Sequence, residues 1–367
     1  MAGGIAFNDL SRRSARMAAA LDAAARRVIA RGWYVLGPEL DGFEREFAAW
    51  CGLGHAVGVA SGSDALELAL RALGLGPGAV VVTVANAGGY ATAAILAVGA
   101  SPRYVDVAAG TGLLDPATLE PVLAAGPVAA LIVPHLYGRL APMAEILARC
   151  RPRGVAVIED CAQAHGAQRD GRRAGAFGTV GCFSFYPTKN LGALGDGGAL
   201  VTDDPALAER IRALRQYGWG DKYHVLRPGG RNSRLDEMQA AFLRLGLPRL
   251  DDWNHRRRAI AERYRAGIRH PGLACPPPGG ADDVAHLFVL RCAGRDRLAA
   301  HLAARGIGCA VHYPVPDHRQ PGWREACAGA GPLPVTERRA AEILSLPCYP
   351  ELEDSEVEAV IDAVNGW

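Results

Sequence analysis

The stretch "GVAVIEDCAQAHG", residues 154–166, begins with an apolar run. That run ends at an acid, Asp160, and a polar turn follows. An apolar run without alternation is typical of a strand that is buried on both faces. Three earlier runs have the same character, and alanine- and leucine-rich helical stretches separate them: "AVGVA" (56–60), "AVVVTV" (79–84) and "VAALIVPH" (128–135). We therefore predict an α/β fold with a mostly parallel central sheet and helices on both faces.

The pattern changes near residue 250. From there the chain has an arginine-rich helical stretch, a Pro/Gly-rich linker, a short strand and another helix. This change predicts a large domain over residues 1–250 and a smaller C-terminal α/β domain over residues 251–367. Ligands of parallel sheets bind at the carboxyl ends of the strands, so the residues that follow each strand are the first candidates for a site.

Composition argues against several classes of partner. The 367 residues carry a formal net charge of only +2, and basic and acidic residues are interleaved, so we expect no nucleic-acid partner. Nine scattered cysteines without a CxxC pair favour reduced thiols in the cytoplasm and no metal site. The N-terminus has no signal-peptide pattern, and the uncharged stretch 72–102 is broken by Pro77 and glycines, so we expect no membrane segment.

The stretch "VASGSDALELAL" reads as a buried strand, a turn of small residues and a helix start. The backbone N–H groups of Gly62, Ser63 and Asp64 would point out of the helix, where an anion such as a phosphate is favoured. A plain capping box with Asp64 as the N-cap explains the same residues. This stretch alone leaves both interpretations open.

Asp160 falls at the end of a predicted strand, which would hold its carboxylate rigidly at the edge of the sheet. Gln163 and His165 follow it. A strand-end aspartate can also cap the next helix, and His165 can be a structural histidine.

Lys189 is one of only two lysines among 40 basic residues. It lies between the aromatic run "CFSFYPT" and the glycine-rich "NLGALGDGGA". A neutral amine can form an imine with an aldehyde, whereas arginine stays protonated, and burial supplies the neutral form of a lysine. We predict that Lys189 is the catalytic nucleophile and that Lys222, in the polar loop "GWGDKYH", is an ordinary surface lysine.

An anion cradle, a strand-end acid and a buried lysine are together what one cofactor requires. Pyridoxal 5'-phosphate (PLP) needs a lysine for its aldehyde, an acid that keeps its ring nitrogen protonated, and a pocket for its phosphate. The sequence therefore predicts a PLP enzyme.

The chain resembles the DegT/DnrJ/EryC1/StrS family of nucleotide-sugar aminotransferases along nearly its whole length. The resemblance is carried by "GWYVLGPELDGFEREFAAWCG", "ASGSDALELALRALGLGPG", "EDCAQAHGA", "SFYPTKNLGALGDGGAL", "NSRLDEMQAAFLRLGLPRLDDWN" and "SLPCYPEL". It implies the fold type I architecture of PLP-dependent aminotransferases.

The resemblance also implies roles for individual residues. Lys189 would bond covalently to the cofactor's aldehyde, and Asp160 would pair with its pyridine nitrogen. Gln163 would lie beside the ring's 3-hydroxyl group. The phosphate would be held by Gly62, Ser63 and Ser184, and by Asn232 from the neighbouring subunit of a homodimer with shared active sites.

One segment departs from the family pattern. Many members carry a bulky aromatic residue that stacks on the cofactor ring, where this chain has Gly88 and Gly89. Either Tyr90 takes that role or the ring is packed differently. Candidate substrate-binding residues, each of which also fits a purely structural role, are Tyr186, His312 and Tyr313 for the hexose and Trp33 and Tyr34 for the nucleotide entrance.

The resemblance implies transfer of an amino group from an amino acid, L-glutamate, to a dTDP-linked 3-oxo-6-deoxyhexose, in an antibiotic or surface-sugar pathway. A 4-oxo sugar or a cyclitol ketone is an alternative acceptor, and a non-catalytic binding or regulatory protein is an alternative of another class. Sugar dehydratases of the family replace the lysine with histidine, so Lys189 argues against that reaction. A nicotinamide dehydrogenase would need GxGxxG, which "ASGSDA" lacks.

Overall fold

The computed structural model describes residues 4–367. Its centre is a seven-stranded sheet with the strand order β1-β9-β8-β5-β4-β2-β3. The seven strands are β1 (His55–Val59), β2 (Val80–Val84), β3 (Ser101–Val105), β4 (Ala130–Pro134), β5 (Ala156–Asp160), β8 (Val180–Ser184) and β9 (Gly198–Thr202). A separate short hairpin is formed by β6 (Gln168–Arg169) and β7 (Arg172–Arg173).

The central sheet is mostly parallel, as predicted. The neighbours from β3 through β2, β4 and β5 to β8 all pair in parallel. Only β9 runs in the opposite direction, since it pairs antiparallel with both β8 and β1. The inner strands are mostly apolar because both faces of the sheet are covered, and every residue of β4 is buried.

Alternate residues of each strand contribute to cores on opposite faces of the sheet. Val81 packs in a core with helices that cover one face, and Val82 packs in a core on the other. The helices that contribute to the first core are α3 (Gly62–Ala72), α4 (Tyr90–Ala97) and α7 (Pro205–Leu214). Those of the second face are α2 (Pro38–Cys51), α5 (Pro116–Ala124), α6 (Met143–Cys150) and α8 (Glu237–Gly246).

The C-terminal part of the chain has its own two-stranded antiparallel sheet and its own core. Ile5 forms a β-bridge with Ile307 and packs against that core. The first described residues therefore belong with the last part of the chain. The division at residue 250 stays a prediction. The remaining elements are α1 (Leu10–Arg31), α9 (Leu250–Gly267), β10 (Phe288–Arg291), α10 (Arg295–Ala303), α11 (Pro334–Glu342), β11 (Ile343–Leu346) and α12 (Asp354–Asn365).

A buried glutamate stabilises the start of α2. The carboxylate of Glu237 accepts hydrogen bonds from the backbone N–H groups of Gly37, Glu39 and Leu40 at 2.8–3.0 Å. These are N–H groups for which a helix has no internal acceptor, so Glu237 caps α2 from α8.

All nine cysteines are free thiols. Within residues 4–367, no helix has both the length and the hydrophobicity needed to span a membrane.

Candidate active site

The turn between β1 and α3 forms the first part of the site. Ser61, and not Asp64, is the N-cap of α3: its hydroxyl accepts from the Asp64 N–H at 3.1 Å. The capping-box interpretation with Asp64 was therefore wrong, and the Asp64 carboxylate instead accepts from the Ser233 hydroxyl at 2.6 Å. The N–H groups of Gly62 and Ser63 have no acceptor within the helix and remain available to an anion.

Ser184, the last residue of β8, lies directly against this turn. A side chain on Gly62 would begin 2.5 Å from the Ser184 Cβ, so glycine is needed for the close approach. The contact places the Ser184 hydroxyl beside the free N–H groups of α3. Three donors from two elements thus line one cavity at the carboxyl ends of the strands.

Asp160 ends β5, on the strand next to β8, and is buried. Its carboxylate accepts a hydrogen bond from the Ala162 N–H at 3.1 Å. Burial raises the pKa of Asp160, against the opposing effect of that hydrogen bond and of the positive charge of Lys189. A buried carboxyl group with so few partners suits a protonated ring nitrogen as its counterpart.

Lys189 lies in the loop after β8, and its backbone N–H donates to the Tyr186 carbonyl at 2.8 Å. Burial lowers the pKa of Lys189 to about 8, while the negative charge of Asp160 opposes that shift. A substantial fraction of the amine is therefore neutral at physiological pH. The chemical property that the sequence predicted for this residue is present in the structure.

Two adjoining cavities meet at Lys189. The first, of about 190 Å³, contains the phosphate donors and Asp160, and the second, of about 240 Å³, opens towards the C-terminal part. Tyr90 and Tyr186 line both cavities together with Lys189. The arrangement gives one amine access to two compartments.

Gln163 connects the second cavity to the C-terminal part. Its side-chain carbonyl accepts from the Tyr137 N–H at 2.6 Å, and its amide donates to the Tyr313 hydroxyl at 3.0 Å. The Tyr137 hydroxyl donates to the His312 carbonyl at 2.6 Å. The predicted residues His312 and Tyr313 therefore line the second cavity. Tyr137, which the sequence did not indicate, holds Gln163 and His312 without lining either cavity.

The histidines around Lys189 are neutral. Burial lowers the pKa of His165 to about 3 and that of His312 to about 4, and the charge of Lys189 acts in the same direction. His286, which sequence reasoning missed, lines the second cavity, bonds Asn190 at 2.8 Å, and has its pKa lowered by burial. Asp160 is therefore the negative charge that balances Lys189.

His165 lies outside the two cavities. It is fully buried against the rings of Phe183 and Phe185, at centroid distances of 5.3 and 5.9 Å. Both of its ring nitrogens lack a hydrogen-bond partner within the described part of the chain.

Other predicted residues lie outside the two cavities. Trp33 and Tyr34 are about half exposed and line neither cavity within residues 4–367. Asn232 is exposed and also lies apart from Lys189 of its own chain. A nucleotide entrance at Trp33 and Tyr34, and a phosphate contact from a neighbouring subunit at Asn232, stay predictions.

A second polar cluster, His135, Glu159 and Cys161, has the composition of a metal site. The His135 Nδ1 atom accepts from the Ala141 N–H at 3.1 Å, so its Nε2 atom carries the proton that bonds Glu159 at 2.8 Å. Glu159 also accepts from three backbone N–H groups, of Gly175, Phe177 and Gly178. The cluster is saturated and anchors the turn before β8.

The residues of the first cavity fit PLP. The free N–H groups of Gly62 and Ser63 and the Ser184 hydroxyl provide donors for a phosphate. Asp160 provides an acid for a ring nitrogen, and Lys189 provides an amine that can lose its proton. This donor set is chemically complete for the cofactor that the sequence predicted.

Comparison with known proteins agrees with this site. The model of the DegT/DnrJ/EryC1/StrS aminotransferase family matches residues 16–365. A curated relative from Streptomyces venezuelae, dTDP-3-amino-3,4,6-trideoxy-alpha-D-glucose transaminase, is 48% identical over 99% of this chain and 96% of its own length.

Solved structures show the same fold. S. venezuelae DesV, determined in complex with a ketimine intermediate, is 48% identical and superposes with a TM-score of 0.94 over 100% of this chain and 98% of its own. NtdA from Bacillus subtilis, determined with bound pyridoxamine phosphate (PMP), is 28% identical and has a TM-score of 0.92 over 99% of this chain and 85% of its own. The predicted fold class and the PLP/PMP cofactor are confirmed.

Proposed function

This chain belongs to the DegT/DnrJ/EryC1/StrS aminotransferase family, and from that premise we propose that it aminates the 3-keto group of a dTDP-linked 3-oxo-6-deoxyhexose. The amino donor in this proposal is an amino acid, L-glutamate. The observation that carries the proposal is the amine of Lys189, which faces two cavities and has its pKa lowered to about 8. A binding or regulatory protein would have no need of such an amine.

Five residues of the first cavity have roles in the proposed exchange. PLP, when bound, supplies an aldehyde that condenses with amines and a ring that delocalises the electron pair left by proton removal. Gly62, Ser63 and Ser184 would hold the phosphate, and Asp160 would keep the ring nitrogen protonated. The Lys189 Nζ atom would accept the proton from the donor's α-carbon and later release it, which requires its neutral form.

The second cavity would hold the substrates in turn. Its wall near Lys189 is formed by Tyr90, Tyr186, His312 and Tyr313. Hydroxyl groups on these tyrosines can bond the hydroxyl groups of a hexose, and their rings can pack against its apolar face. The large share of aromatic lining supports a sugar acceptor.

The position of the keto group rests on similarity. The S. venezuelae relative acts, by its name, on a dTDP-3-amino sugar, and it matches 99% of this chain. A 4-oxo nucleotide sugar or a cyclitol ketone remains the alternative acceptor within the family.

A substrate panel tests the proposal. Purified protein with PLP and L-glutamate is incubated with dTDP-3-oxo and dTDP-4-oxo 6-deoxyhexoses, and the amino sugar is identified by mass spectrometry and NMR. We expect turnover of the 3-oxo compounds and no product from Lys189→Ala. Turnover confined to the 4-oxo compounds would exclude the proposed acceptor but keep the aminotransferase.

We also propose a homodimer with shared active sites. Around Asn232 the chain exposes apolar side chains, among them Tyr223 and Leu226, each 72% accessible. Apolar groups this accessible are typical of a surface that a partner covers. A second copy that brought Asn232 to the phosphate would complete the first cavity.

Subunit mixing tests the shared site. Lys189→Ala and Asn232→Asp chains are each expected to be weak alone. After mixing and exchange, heterodimers would hold one intact site, so about a quarter of all sites would recover activity. No recovery, in a mixture shown to contain heterodimers, would refute the shared site.

The free cysteines support a reducing, cytoplasmic location for the enzyme.

A further inference from the structure

Residues 312–323, called here the clasp segment, pack against the turn that follows β2 of the seven-stranded sheet. Gly88 and Gly89 both have positive φ angles, 81° and 83°. A side chain on Gly88 would begin 2.9 Å from the Tyr313 ring, and one on Gly89 would begin 2.7 Å from the Trp323 ring. The space beside both glycines is occupied by aromatic rings of the clasp segment.

The clasp segment thereby forms a wall of the Lys189 cavity. The rings of Tyr313 and Tyr90 meet edge to face at 6.2 Å, and both residues line the second cavity. The hydrogen bond from Gln163 fixes the Tyr313 hydroxyl at one end of the segment. The other end needs a separate anchor.

Asp317 is that anchor. Its backbone N–H donates to the Ala85 carbonyl at 2.8 Å, and its carboxylate accepts from the Thr92 hydroxyl at 2.6 Å. Ala85 and Thr92 lie on either side of the Gly88 and Gly89 turn. One residue of the clasp segment therefore holds both flanks of the turn that it covers.

The cost of burying Asp317 argues that it has a specific role. The side chain is 1% exposed, and its Oδ1 atom has no hydrogen-bond partner within residues 4–367. Burial raises the pKa of Asp317 to about 7. An apolar residue would pack here at lower cost, so an acid at this place is not explained by stability.

We infer that Asp317 is a positioning residue: it fixes the clasp segment against the Gly88 and Gly89 turn, and so sets where Tyr313 and Tyr90 meet the sugar. The inference rests on the proposed function, because the wall is assigned to the sugar acceptor. Asp317 touches neither Lys189 cavity itself. It acts through the two tyrosines.

The test compares three variants of the PLP-loaded protein. Asp317→Ala removes the carboxylate half of the anchor and keeps the backbone bond to Ala85, Asp317→Asn keeps an acceptor for Thr92, and Asp106→Ala is the matched control. Asp106 is also buried and accepts from Val335 and Thr336 of the C-terminal part at 2.7–2.9 Å, but it follows β3, three strands away from β5. Should Asp317→Ala not fold, Thr92→Val removes the same hydrogen bond from the other side.

Two readouts are measured. Hydrogen exchange of peptides covering 85–92 and 313–323 is expected to rise about tenfold or more in Asp317→Ala, and to stay near wild type in Asp317→Asn and Asp106→Ala. The KM for the keto sugar is expected to rise about tenfold in Asp317→Ala with a smaller change in kcat, because a binding contact is lost.

Unchanged exchange in Asp317→Ala would overturn the inference. So would faster exchange with an unchanged KM, or an equal rise of KM in Asp106→Ala. A wild-type protein that is inert towards every keto sugar would instead refute the proposed function, and the exchange data would still decide whether Asp317 fixes the clasp segment.

Discussion

The protonation of Lys189 makes the clearest quantitative prediction. Burial lowers its pKa from 10.5 to about 8. At pH 7.5 about a quarter of such an amine is neutral, against about 0.1% of an ordinary lysine. The rate at which the apo protein condenses with PLP is therefore expected to rise with pH, with a midpoint near pH 8 and a plateau above about pH 9.

Asp160→Asn is the perturbation that tests the cause. The negative charge of Asp160 raises the pKa of Lys189, so its removal is expected to move the midpoint of the rate profile to a lower pH. Turnover is expected to fall in the same variant, because the ring nitrogen loses its acid. The two opposite effects separate the influence of Asp160 on the lysine from its role in the reaction.

Stopped-flow absorbance of apo protein mixed with PLP, from about pH 6 to about pH 11, measures the profile. Lys222→Arg is the control, since Lys222 is exposed and should leave the curve unchanged. A wild-type midpoint near that of an ordinary lysine would refute the reasoning. A midpoint that moves to higher pH in Asp160→Asn would refute the assigned interaction.

Two further changes test the scaffold. Gly62→Val places a side chain 2.5 Å from the Ser184 Cβ and is expected to weaken PLP binding about tenfold or more, as measured by absorbance titration of the apo protein; wild-type affinity would contradict the assigned cradle. Glu237→Ala removes three hydrogen bonds to the start of α2, and we expect it to lower the free energy of unfolding, measured in urea, by about 3 kcal/mol. The control Glu358→Ala removes an exposed ion pair and should change that free energy by less than about 1 kcal/mol. Equal effects of the two glutamate variants would contradict the capping role.

The local sequence predicted the fold class and four residues of the first cavity, Gly62, Ser63, Asp160 and Lys189, whereas Ser184 came from the family resemblance. Apolar runs without alternation predicted the parallel strands, because burial on both faces leaves no place for polar residues. Asp160 was predicted because it ends an apolar strand, and Lys189 because it is one of only two lysines and lies between an aromatic run and a glycine-rich stretch. The structure places both where two cavities meet.

The second cavity could not be predicted in the same way. His286 belongs to the C-terminal part, and only the packing of that part against the sheet brings it to the Lys189 cavity. Tyr137 follows β4 and contacts Gln163 and His312 without lining that cavity. The departure at Gly88 and Gly89 was visible in the sequence, but its explanation required Tyr313 and Trp323, more than 220 residues later in the chain. Contacts between such distant residues leave no periodic pattern.

The central claim is that the Lys189 amine bonds reversibly to the carbonyl carbon of PLP. The protein is incubated with PLP, reduced with borohydride and digested, and the modified peptide is identified by mass spectrometry. We expect the label on Lys189, within residues 184–204, and no label in Lys189→Arg. A label on Lys222, or full transaminase activity in Lys189→Arg, would contradict the account.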